Sequence, residues 1–146
     1  MDNSSFRTYQ AIVYPAQCDA MGHMTVQYYV AAFDQAMWNL VYTLGWRPEG
    51  TPAKTGFADV RHVIEYRSEL KAGTPFAVDS VLLRAGKSSI VTGHRLVNLS
   101  SSALAAEMEM TSVHFDLIER TSLNLPHSLG LAERAGKWPD PMSGEH

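Results

Sequence analysis

One amphipathic run, Val26 to Leu44, followed by several stretches of period-two alternation, constrains this chain more than any other feature of its sequence. Within the run Val26, Tyr29, Val30, Phe33, Met37, Leu40, Val41 and Leu44 recur at three- and four-residue steps, the signature of one face of a helix. Thr25 stands at the N-cap position and Gly45 at the stop. An apolar stripe of that length must be covered along its whole course. Arg47 to Lys54 carries Pro48, Gly50 and Pro52 and reads as a loop. Beyond it the pattern switches to alternation rich in β-branched and aromatic residues at Phe57–Arg67, Phe76–Ala85, Ser88–Leu99 and Leu104–Ile118. Gly86-Lys87 and Ser100-Ser101-Ser102 are short separators, so the last three stretches are expected to form hairpins. With an opening strand at Tyr9–Tyr14, the order is strand, helix, then four strands. That order predicts an α+β domain in which a five-stranded antiparallel sheet wraps one long central helix, although the pattern alone also allows other one-helix sheets.

The segment Ser102–Thr111 pulls against this assignment, because Ala103, Leu104, Ala105, Ala106, Glu107, Met108, Glu109 and Met110 favour helix on propensity alone. Val113, Phe115 and Leu117 continue an alternation, and sheet neighbours override weak local preference, so a strand is expected there. Residues 1–126 are expected to form one domain. Residues 127–146 form an extension with a short helix at Leu129–Ala135 and a loose end after Trp138-Pro139-Asp140-Pro141.

Size and charge narrow the function. At 146 residues the chain can bury a core without disulfides or metals. Twelve basic against 15 acidic residues give a net charge of -3 with no basic block, which argues against nucleic acid as a partner. The only cysteine, Cys18, cannot form an intramolecular disulfide and fits a reducing compartment. Met1 to Tyr9 lacks the apolar stretch of a signal peptide, and no apolar run reaches membrane-spanning length, so a cytoplasmic protein without membrane contact is expected.

Chemistry concentrates just ahead of the helix, in Cys18-Asp19-Ala20-Met21-Gly22-His23-Met24. The first turn of a helix presents unpaired N–H groups and partial positive charge, which can polarise a carbonyl oxygen. A carboxylate beside such donors is the minimum equipment for attack on an acyl carbon. Taken alone, Asp19 is more often a turn or capping residue, by about two to one. Elsewhere the signals are weaker. Cys18 is a poor nucleophile candidate, because its neighbour Asp19 disfavours a thiolate. The six histidines show no metal-ligand spacing, and His62, His94 and His114, each within an expected strand, read as hydrogen-bonded structural residues. Glu65 and Glu69 flank Tyr66-Arg67 and either face a substrate cleft or, as is more usual for such charges, are solvated or paired with Arg61 and Arg67. No glycine pattern forms a phosphate loop.

Asp19, Gly22, His23, Met24, Tyr29, Phe33, Asp34 and Ala36 resemble the pattern of the hot-dog-fold acyl-CoA thioesterases of the 4-hydroxybenzoyl-CoA thioesterase type. In that family Asp-x-x-Gly-His-(Val/Met)-Asn-Asn-x-x-Tyr leads into a long helix. This chain departs at the Asn-Asn pair, where it has Thr25 and Val26. A looser likeness continues through Gly56–Gly73 and Ala105–Pro126. The resemblance implies a hot-dog fold and hydrolysis of a small or medium acyl-CoA to the free acid and coenzyme A. It places Asp19 as nucleophile or general base, the backbone amide of Val26 as oxyanion donor, and Gly22, His23, Met24, Thr25 and Tyr29 around the substrate. It further implies no cofactor, no metal, and a homodimer or a dimer of dimers. A non-catalytic acyl-CoA-binding protein of the same fold remains the alternative, with a hydratase or dehydratase behind it. Arg84, Lys87 and Arg95 are candidates for gripping the nucleotide, although surface cations are more often simply solvated.

Overall fold

The structure is a computed structural model, described here for residues 5–48 and 54–139. It contains β1 (Phe6–Ile12), α1 (Val26–Thr43), β2 (Thr55–Tyr66), β3 (Pro75–Ala85), β4 (Ser89–Asn98), β5 (Leu104–Asp116), β6 (Thr121–Ser122) and α2 (Leu131–Arg134), with 3₁₀ turns at Pro15–Gln17 and His127–Leu129. The strands form one antiparallel sheet in the order β1-β3-β4-β5-β2, and β6 adds to β5. The sheet thus has a sixth strand beyond the five expected. It is two residues long, too short to carry an alternation, and pairs only Phe115 with Ser122 and Asp116 with Thr121.

Helix α1 packs against β1, β3 and β4. Tyr29, Ala32, Phe33, Ala36, Met37, Leu40 and Val41 form its buried face, as the stripe required, while Val26 in its first turn stays 60% exposed. Its end is a paired C-terminal motif. Gly45 N–H donates to Tyr42 O and Trp46 N–H to Val41 O, and Gly45 sits at φ 110, a conformation that favours glycine. Thr25 is the N-cap by position, but its side chain makes no capping bond and its buried Oγ1 has no partner among the described residues.

Strand β5 lies between β4 and β2, hydrogen-bonded on both edges. That pairing overrides the helical preference of its Ala-Glu-Met run, and Ala105, Ala106, Met108 and Met110 enter the core. The β4–β5 hairpin closes on Asn98, whose Oδ1 accepts from Ser100 N–H and Ser101 N–H. Leu131 of α2 is buried in the same core, and Leu125, Leu129 and Ala135 pack against it. The expected loop between Arg47 and Lys54 and the loose end after Trp138 fall largely outside the described residues.

Within the sheet, Thr8, Ser80, His94 and Thr92 form a buried polar chain. Thr8 Oγ1 donates to Val78 O, so it can only accept from Ser80 Oγ at 2.7 Å. Ser80, its proton spent, accepts from His94 Nδ1 at 2.6 Å, which leaves His94 Nε2 to accept from Thr92 Oγ1 at 2.8 Å. The chain therefore fixes a neutral imidazole with its proton on Nδ1. Burial first, and the charge of His62 second, push the His94 pKa down to about 3.

Candidate active site

The turn ahead of α1 is built on Asp19. Its N–H donates to His23 O at 2.9 Å, and its own carbonyl accepts from Gly22 N–H at 3.0 Å. Its Oδ1 accepts from Met21 N–H at 2.9 Å and from His23 N–H at 3.2 Å. Gly22 supplies the φ of 84 that this reversal needs. Oδ2 takes no hydrogen bond from the described residues, so one carboxylate oxygen is fixed by the turn and the other is available. The turn reading and the chemical reading of Asp19 are thus compatible.

The turn is tied to the segment that follows β2. Met24 N–H donates to Leu70 O at 2.8 Å, and His23 Nε2 lies 3.2 Å from Glu69 Oε1. Between the two segments lies a cleft of about 290 Å³. On one side it is lined by Asp19, Met21, His23, Met24, Val26 and Tyr29, and on the other by Tyr66, Arg67, Ser68 and Glu69. At its helical end neither Val26 N–H nor Gln27 N–H has a partner among the described residues, whereas Tyr28 N–H donates to Thr25 O. A carbonyl oxygen entering here meets unsatisfied donors with the helix dipole behind them.

Tyr29 and Tyr66 meet edge to face with ring centroids 5.2 Å apart. Burial, helped by the neighbouring Tyr66, pushes the Tyr29 phenol up to about 12, so it stays protonated. One helical step further, burial and then the charge of Asp59 raise Asp34 above the ordinary carboxylate range. Asp59 itself accepts from Ser112 Oγ at 3.0 Å and faces His62 Nε2 at 3.3 Å.

Five of the sequence-derived positions, Asp19, His23, Met24, Val26 and Tyr29, converge on the cleft. Gly22 and Thr25 do not line it. Met21, Tyr66, Arg67, Ser68 and Glu69 complete it, and only the Glu65–Glu69 charge pattern hinted at the second wall. The alternative fates of those charges are both realised. Arg67 Nη2 pairs with Glu65 Oε1 and with Glu107 Oε2, each at 2.6 Å, while Glu69 pairs with His23. His94 and His114 are hydrogen-bonded structural residues, the latter through Nδ1 to Asn124 O at 2.9 Å. No group of three or more His, Cys, Asp or Glu among the described residues is arranged to hold a metal ion. Among these residues no helix is long and apolar enough to cross a membrane.

Residues 13–142 match the family model of the thioesterase-like superfamily, and the chain belongs to that superfamily. No curated protein sequence matches. Among solved structures, a 1,4-dihydroxy-2-naphthoyl-CoA thioesterase from Synechocystis superposes with a TM-score of 0.72 at 18% identity, over 84% of this chain and 90% of that one. A Staphylococcus aureus protein solved in complex with CoA gives a TM-score of 0.79 at 17% identity, over 92% and 90%. A DHNA-CoA thioesterase from Staphylococcus aureus gives 0.73 at 14% identity, over 84% and 81%. At such identities these likenesses establish the α+β hot-dog fold and nothing finer.

Proposed function

We propose that this protein hydrolyses a small or medium acyl-CoA thioester, with Asp19 as the catalytic carboxylate and the N-terminus of α1 as the oxyanion site. The observation that carries this is the pairing, on one cleft, of an Asp19 whose Oδ2 takes no hydrogen bond from the described residues and a helix start at Val26 whose N–H has no partner among them. The thioester carbonyl oxygen sits against the Val26 N–H. Asp19 Oδ2 either attacks the carbonyl carbon, giving a mixed anhydride that water cleaves, or takes a proton from the attacking water. In both routes the C–S bond breaks and coenzyme A departs as a thiolate, which needs little help from an acid. Because the donor is backbone, Val26 in place of an asparagine leaves it intact. His23 holds Asp19 through its N–H, and Met24 and Tyr29 wall the acyl group.

We infer further that residues 1–126 form the catalytic domain, with 127–146 as an extension docked through Leu131. The chain works as a homodimer or a dimer of dimers. Strand β2 supports this, since it ends the sheet with one edge unpaired among the described residues and carries Val60 and Val63, 61% and 40% exposed.

One competing reading has an observation in its favour. The two turn bonds on Asp19 Oδ1 are what a purely structural aspartate makes, and they fit an acyl-CoA-binding protein without turnover. Thiol release from a panel of short, medium, aromatic and polar acyl-CoA esters separates the two. Turnover of one ester class supports hydrolysis and names the acyl group. Saturable binding of the panel without thiol release leaves the binding protein.

A further inference from the structure

The C-terminal extension crosses to the outer face of the sheet. Gly136 N–H donates to Leu82 O at 3.0 Å, beside the register shift between Leu82 and Arg84. Two residues on, the Trp138 indole settles over Gly93. A Cβ at position 93 would lie 3.2 Å from Trp138 Cζ2 and 3.0 Å from Leu83 Cδ1, so the absent side chain of Gly93 is what admits the ring. The Arg95 guanidinium stacks on the same indole, 4.1 Å from its centroid.

From there a chain of charges leads to the cleft. Arg95 Nε lies 3.7 Å from Glu107 Oε1, and the other oxygen of Glu107 holds Arg67 Nη2 at 2.6 Å. Glu65, the second carboxylate on Arg67, borders with Glu107 and Trp138 a cavity of about 260 Å³ on this outer face. Arg67 also lines the cleft that contains Asp19 and Val26. Side chains of Arg95, Glu107 and Arg67 are 13%, 26% and 28% exposed, so these contacts are partly shielded from water and act at closer to interior strength than a surface pair would.

We propose that Trp138 is a positioning residue for the cleft, acting through Arg95 and Glu107 to hold Arg67 in the wall that faces the substrate. What Arg67 then grips, an anionic part of the phosphate-bearing thioester, rests on the hydrolase reading above. The coupling itself does not. Removing the indole takes from Arg95 its stacking face, loosens the contact of Arg95 with Glu107, the carboxylate that holds Arg67, and leaves the guanidinium in the cleft wall less fixed. Phenylalanine keeps a stacking face for Arg95, and alanine does not.

The test uses the full chain as wild type, Trp138→Ala and Trp138→Phe, with the Arg67 side-chain N–H signal assigned by its loss in Arg67→Gln. In Trp138→Ala the Arg67 N–H is expected to exchange with water at least threefold faster, with Trp138→Phe close to wild type. On the ester the enzyme turns over, KM should rise threefold or more with kcat within twofold. In the double variant Trp138→Ala/Arg67→Gln it should rise no further than in Arg67→Gln alone. Unchanged Arg67 exchange in a folded Trp138→Ala protein overturns the coupling, as does a KM effect that adds fully to that of Arg67→Gln. Faster exchange in a protein that hydrolyses no ester supports the coupling and removes the hydrolase reading.

Discussion

His94 offers a quantitative consequence of the buried polar chain. Its imidazole is fully buried, neutral, and bonded at both nitrogens, with a pKa pushed down to about 3 by burial. An unfolded chain carries an ordinary imidazole that titrates near 6.5. Between the two values the unfolded state binds a proton that the folded state refuses. The contribution of His94 to stability is therefore complete above about pH 6.5 and falls as the pH drops, by about 1.4 kcal/mol per unit. At pH 4.5 the loss is about 3 kcal/mol, a sizeable share of the roughly 5–15 kcal/mol that holds a domain together. Urea unfolding of wild type and His94→Gln at pH 7 and pH 4.5 isolates this term. Glutamine offers a donor and an acceptor to Ser80 and Thr92 but cannot be charged. At pH 7 the variant is expected to be less stable by about 1–3 kcal/mol, because the amide cannot match both bonds. At pH 4.5 the gap should close or reverse, since only wild type pays for protonation. An equal pH dependence in the two proteins would refute the assignment of a neutral, proton-refusing His94.

Other outcomes follow from the same structure. Leu40, fully buried on α1, should cost about 2–5 kcal/mol when replaced by alanine, read as a lower urea midpoint with the slope unchanged. Tyr29, with a phenol raised to about 12, should contribute no phenolate absorbance in a spectrophotometric titration up to pH 10.5, so that Tyr29→Phe leaves the titration amplitude at that pH unaltered. A larger amplitude in wild type than in the variant would show that the ring is solvated. Val63→Lys on the open β2 edge should shift the proposed dimer towards monomer in light scattering at micromolar concentration, and an unchanged mass would place the subunit contact elsewhere.

The helix was legible because its stripe is long and unbroken. Phe33, Met37, Leu40 and Val41 had to face something apolar, and they do. The strands were legible from alternation even where propensity disagreed, since Met108 and Met110 enter the core while the alternating Glu107 and Glu109 do not. Val26 was misjudged by the same periodicity. It sits on the stripe by spacing, but it is 60% exposed and lines the cleft instead of entering the core. The first wall of the cleft could be read because Asp19, His23 and Val26 are neighbours in sequence. The second wall could not, because Tyr66, Arg67 and Ser68 reach it only through backbone contacts such as Met24 N–H to Leu70 O, which no local pattern encodes. The role of Trp138 was equally hidden, since it depends on Gly93 being bare and on Arg95 lying beside it.

Hydrolysis by this site depends on the Asp19 carboxylate, and Asp19→Asn removes it with little disturbance. The amide oxygen of asparagine can still accept from Met21 N–H and His23 N–H, so the turn survives while the nucleophile or base is lost. The decisive measurement is the single-turnover rate of thiol release by this variant beside wild type, on whichever ester wild type hydrolyses. The account expects a fall of about 100-fold or more with the unfolding midpoint and ester affinity retained. A variant that is folded, binds the ester and releases thiol at the wild-type rate would contradict it.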